Sequence, residues 1–251
     1  MDDIKINYSF RLDGSTWKRF DLRIDGNNLE LINNRSENLP DWTDLEFHKC
    51  SHCPLSRASH PRCPVAANLV DVIEEFDGVI SHEEIDIDIT INDRHITQHT
   101  TAQRGLSSML GLIFATSGCP HTVFLKPMAR FHLPLATEAE TIFRATSTYL
   151  LAQYFLKEDG FESDFELTGL KEIYDNLHIL NTMFADRIRK ASNADSSVNA
   201  VILLDLFANV MPFVIEDHLD EIRYLFSPYI ENARHRAELQ KPEMLGTGTT
   251  D

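Results

Sequence analysis

All four cysteines of the chain lie in its first half, at positions whose spacing suits metal binding. Cys50 and Cys53 form a C-x-x-C pair, Cys63 returns after nine residues, and Cys119 comes from a separate segment. Two thiolates separated by two residues can converge on one ion, as they do in tetrahedral zinc sites. We therefore predict one metal centre whose ligands are Cys50, Cys53, Cys63 and Cys119.

The fourth ligand and the kind of metal stay open. Nearby histidines that could replace Cys119 as a ligand are His48, His52, His60 and His121. Cys53, Cys63 and Cys119 each precede a proline, a pairing that recurs at iron–sulfur ligands, although the spacing matches no ferredoxin pattern. Zinc is the expected ion and an iron–sulfur cluster the alternative. The plainest alternative is buried or redox-active thiols without a metal.

A second group of polar residues is cationic, in a chain that is otherwise acidic. Lys126, Arg130 and His132 lie close together between two prolines. They could bind a carboxylate or phosphate of a substrate, with the histidine as acid or base. Arg104 before this segment and Arg144 after it could complete such a pocket. The plainer alternative is that these cations pair with the surplus acids.

Known catalytic motifs are absent from the sequence, which has no glycine-rich phosphate loop, G-x-S-x-G elbow, H-E-x-x-H or EF-hand pattern. A four-cysteine zinc site would also leave no open position for catalysis. We therefore expect a metal-binding protein that acts as a sensor or interaction module, with a protein partner possible. The alternatives are an enzyme with an anion-binding pocket around residues 126–132, or a redox relay through an iron–sulfur cluster.

The composition favours a globular, acidic, cytoplasmic protein. Of 251 residues, 43% are hydrophobic and 25% charged, and 39 acidic against 23 basic side chains give a net charge of −16. This excess would repel nucleic acid and anionic membranes, so we expect neither as a partner. The start, MDDIKINYSF, lacks the basic and apolar regions of a secretory signal. In the cytoplasm thiols stay reduced, which favours metal binding over disulfides.

One apolar stretch, residues 201–215, could be mistaken for a membrane span. It contains Asp205, Asn209 and Pro212, and its apolar length falls short of the roughly 20 residues that a span needs. We therefore predict a core helix there.

The first half of the chain is predicted to be β-rich. Alternating apolar residues indicate a three-stranded meander over residues 4–32, with turns at Asp13-Gly14 and Asp25-Gly26, and a hairpin over residues 84–99. Between them lies the cysteine loop, residues 40–64, and then a helix over residues 64–76, which places Cys63 at its N-cap.

A further helix is predicted to run from a capping box at Thr100 and Gln103 to Ser117, ahead of Gly118. Small residues on this helix indicate a close approach to another backbone; they are Gly105, Ser108, Gly111 and Ala115. In the second half, a capping box at Thr137 and Glu140 opens the first of four helices joined by short loops.

These elements predict an α+β fold in which an antiparallel β-rich part with the cysteine loop packs on a C-terminal helical bundle. We place the β-rich part, with one or two helices, at residues 1–134, the bundle at residues 135–240 and a disordered tail at residues 241–251.

Residues 50–68 and 103–132, which include SMLGLIFATSGCPH and FLKPMARFH, resemble a family of uncharacterised bacterial proteins with a domain of unknown function. The family carries a Cys-x-x-Cys-Pro loop and an SGCPH turn, and the likeness extends over most of the chain. It implies that the loop and the turn belong together, and it implies no activity.

Overall fold

The computed structural model of the protein describes residues 1–12, 15–32, 39–191, 195–217 and 219–239. The predicted turn at Asp13-Gly14 and the predicted tail, residues 241–251, lie outside these ranges.

A four-stranded antiparallel sheet forms the N-terminal part. Its strands are β1 (Ile4–Leu12), β2 (Thr16–Ile24), β3 (Glu84–Ile91) and β4 (Arg94–Thr101), in the order β2-β1-β3-β4. The alternation in β1 and β3 buries one face of the sheet. The predicted hairpin is confirmed. The prediction of a third strand in the meander is wrong, because residues 29–32 contribute only an isolated bridge between Ile24 and Leu31.

Several helices, most of them short, join the strands and cover the sheet. They are a 3-10 turn at Asp41–Thr43, α1 (Pro64–Ala67), α2 (Val70–Glu75), α3 (Ala102–Thr116), a 3-10 helix at Pro120–Leu125 and α4 (Lys126–Arg130). The single helix predicted over residues 64–76 is therefore two helices. Cys63 is the N-cap of α1, as predicted.

The capping box predicted at the start of α3 is wrong. Thr101 is the N-cap and no side chain caps the helix. Instead, the backbone N–H of Ala102 donates to the carbonyl of Glu83, and that of Gln103 to the carbonyl of Ser81. Because the chain before β3 already satisfies these N–H groups, the helix needs no side-chain cap.

Gly105 lets α3 lie against the sheet. A Cβ atom at this position would come within 3.3 Å of side-chain atoms of Ile87 and Phe10. The close approach predicted from the small residues is thus to side chains rather than to another backbone.

The second half is helical: α5 (Glu138–Glu158), α6 (Thr168–Ala191), α7 (Asp195–Glu216), α8 (Asp220–Arg223), a 3-10 turn at Tyr224–Phe226 and α9 (Ser227–Leu239). The capping box at the start of α5 is confirmed, since the Thr137 hydroxyl accepts from the Glu140 N–H while the Glu140 carboxylate accepts from the Thr137 N–H. The predicted fourth helix is divided into α8 and α9.

Two apolar clusters hold the fold together. The larger one joins the buried face of the sheet and α3 to residues of α6 and α7, such as Phe184 and Val201. The smaller one lies within the helical half, between α5, α6 and α7, around Tyr149, Leu170 and Met211. The α+β fold with the sheet packed on the helical half is therefore confirmed. The domain boundary at residue 134 stays a prediction.

Helix α7 has 22 residues and is longer than the apolar stretch, residues 201–215, that the sequence indicated. Its length therefore does not exclude a membrane span. By length and composition it could cross a membrane, and α3 together with the segment Pro120–Arg130 passes the same test as a bent pair. Core helices share this character, and α7 packs along α6 and α3.

Candidate functional site

The four cysteines lie at three turns of the chain. In the C-x-x-C pair, the Cys53 N–H donates to the Cys50 carbonyl at 3.0 Å, which closes a tight turn. Cys63 and Cys119 are both N-cap residues in extended conformation, each followed by a proline in the first helical position. A proline there fixes the helix start, so it also fixes the direction in which the chain presents each cysteine.

The structure brings the four thiols into each other's electrostatic range. Burial, with further contributions from the charges of Cys63 and Cys53, raises the pKa of Cys50 to about 11. Burial also raises the pKa of Cys119 to about 12; a backbone hydrogen bond from His121 opposes this, and the charges of the other three thiols add to it. All four cysteines are free. Cys50 and Cys119 are therefore neutral thiols at pH 7.

The thiols are neighbours without forming a complete ligand set. Among the residues that the structure describes, no three His, Cys, Asp or Glu side chains are arranged so that they could hold a metal ion together. A metal would have to draw these side chains closer.

A buried arginine lies beside the cysteine cluster. The Arg187 side chain on α6 is 2% exposed, and its guanidinium donates to the carbonyl oxygens of Trp42 and Asp44 at 2.8 Å each and of Leu45 at 3.3 Å. It thereby ties the start of the cysteine loop to the helical half.

The surroundings of Arg187 leave its charge without an ion pair among the described residues. Burial lowers its pKa, and the charges that oppose this most strongly are those of Cys63, Cys50 and Cys53, ahead of Asp44. Thiolates at these positions would therefore be the main counter-charge of this guanidinium.

Two of the histidines considered as ligands lie at the cysteine cluster. The rings of His52 and His121 stack with centroids 3.9 Å apart. The Nε2 atom of His121 is 3.1 Å from the carbonyl oxygen of His52. The Nε2 atom of His52 is 3.0 Å from the carbonyl oxygen of Asn176. His48 and His60 are exposed in the loop.

The predicted anion-binding residues are not brought together. Lys126 donates to the Asn28 carbonyl and to the carboxylate of Glu30, at 2.9 and 3.1 Å. The guanidinium of Arg130 lies 5.8 Å from the centre of its neighbour's ring, Phe131. His132 lines a cavity between α3, α6 and α7, whereas Lys126 and Arg130 are not part of its described lining. Lys126 therefore pairs with an acidic side chain, which was the plainer of the two alternatives for these cations.

This cavity has a volume of about 350 Å³ and lies between α3, residues 125–141, α6 and α7. Both arginines that were expected to complete a pocket, Arg104 and Arg144, line it. Exposed residues form part of the lining, including Arg104 and Glu138, and buried ones form another part, including Tyr174 and Asn181. The cavity therefore extends from the surface into the helical half.

A chain of hydrogen bonds links the sheet to one wall of the cavity. The Leu135 N–H donates to Ser108 Oγ at 2.9 Å, Ser108 Oγ lies 3.0 Å from Tyr8 Oη, and Tyr8 Oη lies 2.5 Å from His132 Nε2. Burial, and then the charge of Arg144, lowers the pKa of His132 to about 3. The ring is therefore neutral at pH 7, which makes it a weak base.

Sequence reasoning missed several residues of these sites. Arg187 lies near the C-terminal end of α6, where a cation is favoured by the helix dipole. It also continues the apolar stripe of that helix, four residues from Leu180 to Phe184 and three more to Arg187. A charged residue in such a stripe indicates a buried charge. Tyr174 and Asn181 have no comparable sequence signal, because the cavity exists only once α3, α6 and α7 have packed.

Comparison with known proteins gives one match. Residues 6–227 match the family model described as "Domain of unknown function (DUF6901)". No curated protein and no solved structure matches the chain. The match covers most of the chain, as the predicted resemblance implied. Its description mentions neither cysteine motifs nor a bacterial source, so those parts of the resemblance stay predictions.

Proposed function

Since the chain belongs to the DUF6901 family, whose description assigns no activity, we propose from its cysteine cluster that the protein binds a single metal centre through Cys50, Cys53, Cys63 and Cys119. Zinc is the first candidate and an iron–sulfur cluster the second. In this proposal the protein is cytoplasmic and acts as a sensor or an interaction module.

The observation that carries this proposal is the buried charge of Arg187. A buried cation is costly unless an opposite charge and hydrogen bonds compensate it. Three carbonyl oxygens supply the hydrogen bonds, and the thiols are the groups whose ionisation would supply most of the negative charge. A zinc ion with four thiolates carries a net charge of −2, so Arg187 and the site would stabilise each other.

The ligands of the proposed site are not yet in their metal-binding state, so metal binding would have to bring them into it. Cys50 and Cys119 must each lose a proton to become ligands, because both pKa values lie well above 7. The metal would then connect the loop, the start of α1 and the turn after α3. Binding energy of this kind is folding energy, so occupancy could control the order of the loop, which is the property that a sensor or interaction module needs.

An enzyme with an anion-binding pocket around residues 126–132 is less well supported. Lys126 is paired with Glu30, and neither Lys126 nor Arg130 lines the cavity. His132 does line it, but its lowered pKa does not suit a general base at neutral pH.

Elemental analysis and an optical spectrum of protein purified without oxygen test the proposal. Stoichiometric zinc that is lost in Cys53→Ser, and kept in the control Ser51→Ala in the same loop, would support a structural site. Iron with sulfide and a brown absorbance would support a cluster and a redox or sensing role. Protein without metal that also takes up neither zinc nor iron with sulfide would overturn the proposal.

A further inference from the structure

The cavity in the helical half is mainly apolar and large enough for a small molecule. At roughly 30 Å³ for each water-sized group, its volume of about 350 Å³ accommodates about ten non-hydrogen atoms. Its apolar walls come from α3, α6, α7 and the segment before α5, and include Leu112, Leu133, Leu177, Leu204 and Phe207.

Two buried polar side chains in this cavity have no partner among the residues that the structure describes. Tyr174 and Asn181 on α6 are 4% and 5% exposed. Among the described residues neither the Tyr174 hydroxyl nor the Asn181 amide forms a hydrogen bond, yet neither group is sealed inside protein. Because both side chains line the cavity, their polar groups open onto it. Buried polar groups are normally hydrogen-bonded, so these two need a partner that the described part of the chain does not provide.

A half-buried cation lies beside Tyr174. One nitrogen of Arg144, Nη2, donates to the carbonyl oxygens of Met128 and Phe131 at 2.7 and 3.2 Å. No acidic side chain of the described residues forms an ion pair with Arg144. The carboxylate of Glu140, one turn away, instead accepts hydrogen bonds from Thr137 at the start of α5. The remaining N–H groups of Arg144 have no partner in the described ranges and can therefore bind a ligand.

The other titratable groups of the cavity leave the positive charge of Arg144 uncompensated. Arg104 and Glu138, both exposed, offset each other at the surface. The neutral ring of His132 lies within the field of Arg144. Its Nε2 contacts Tyr8, whereas Nδ1 has no partner among the described residues and stays accessible.

We propose that this cavity binds a small amphipathic carboxylate, with the carboxylate group on Arg144 and the Tyr174 hydroxyl and with the apolar part between α3, α6 and α7. Because the Nη2 hydrogens of Arg144 already serve two carbonyl oxygens, its Nε and Nη1 N–H groups would donate charge-assisted hydrogen bonds to the carboxylate. The apolar walls then exclude water from the chain of the ligand, and this burial supplies most of the affinity.

Octanoate, with about ten non-hydrogen atoms, is a suitable probe for the full-length protein. We expect saturable binding in calorimetry and a higher melting temperature with octanoate. The compounds 1-octanol and octylamine have the same chain length as octanoate but no negative charge. They should bind at least about ten-fold more weakly than octanoate.

Two variants test the site itself. Tyr174→Phe removes a hydroxyl that has no partner in the described part of the chain, so the protein should keep its stability while octanoate affinity falls about ten-fold. Arg144→Gln should weaken binding further. Tyr154→Phe, an exposed tyrosine on α5, is the matched control and should bind as the wild type does. The proposal is overturned if octanoate fails to bind, if the alcohol or the amine binds equally well, or if Tyr174→Phe leaves the affinity unchanged.

Discussion

His52 and His121 stack ring on ring, with centroids 3.9 Å apart and an angle of 23° between the ring planes. One ring lies inside the C-x-x-C pair and the other follows Cys119 by two residues. The stack and the hydrogen bond from His121 to the His52 carbonyl therefore join the cysteine loop to the turn after α3.

Replacing His121 should loosen this junction. His121→Ala removes the ring contact and the hydrogen bond, which together should lower the free energy of unfolding by about 1–2 kcal/mol. Guanidinium unfolding measures the change, and hydrogen exchange should be faster in residues 50–53. His60→Ala, an exposed histidine of the same loop, is the control. If both variants lost the same stability, the stack would not hold the two segments together.

Replacing Arg187 should have a larger effect. Arg187→Met leaves the carbonyl oxygens of Trp42, Asp44 and Leu45 without their donor, so we expect a loss of about 3–5 kcal/mol in chemical unfolding. The control is Arg189→Met on the same helix, whose exposed side chain pairs with Asp186. If each variant lost less than about 0.5 kcal/mol of unfolding free energy, this role of Arg187 would be contradicted.

A second substitution separates the charge of Arg187 from its hydrogen bonds. Arg187→Lys keeps the positive charge but cannot reproduce the planar fork that contacts three carbonyl oxygens. If the charge compensates a metal–thiolate site, Arg187→Lys should retain more zinc affinity than Arg187→Met, although both destabilise the fold. Competition with a zinc chelator measures the affinity, and equal affinities would remove the argument from charge.

His132 should make the protein sensitive to acid. Its pKa is lowered to about 3 in the folded protein, from an ordinary value of 6.5, so between these values the unfolded chain binds more protons. Stability should therefore fall as the pH drops below 6.5, by at most about 1.4 kcal/mol per pH unit. His132→Gln should lose less stability than the wild type over this range, whereas His235→Gln, an exposed histidine on α9, should behave as the wild type. Parallel losses in all three proteins would contradict the assignment.

Elements with a strong local pattern could be predicted from the sequence. Strand β3 alternates isoleucine with aspartate or threonine over its length, and the box at Thr137 and Glu140 needs only its own turn to form. The box at Thr100 and Gln103 failed because β4 continues through Thr101. The ladder pairs Thr100 with Ile85 and Thr101 with Glu84, so long-range pairing overrode the local cap.

The same distinction applies to the two sites. The C-x-x-C spacing of Cys50 and Cys53 is a local signal, because two thiols separated by two residues can converge on one ion. The complete ligand set, with Cys63 and Cys119, stays a prediction. The cavity could not be predicted, since Tyr174 and Arg144 line one space only after their helices have packed. Lys126 and Arg130 looked equally suited to an anion in the sequence, and only the tertiary contacts of Lys126 with Asn28 and Glu30 distinguish it.

His99 on β4 should stabilise the fold in neutral to mildly acidic solution and less in alkaline solution. Its ring nitrogens lie 2.9 Å from a carboxylate oxygen of Asp86 and 3.3 Å from one of Glu84, and hydrogen bonds to these two groups raise its pKa. The contribution is therefore fully present below the ordinary pKa of 6.5 and is lost as the pH rises through the raised value.

The variant His99→Gln isolates this effect. The difference in unfolding free energy between wild type and variant should be largest near pH 6 and should disappear toward pH 9, as about one proton is released from the folded protein. His82→Gln, an exposed histidine two residues before β3, serves as the control. A difference that stayed constant over this range would mean that His99 acts through packing rather than through its charge. Because Asp86 also pairs with Arg11, some attraction on this face of the sheet should persist after His99 is neutral.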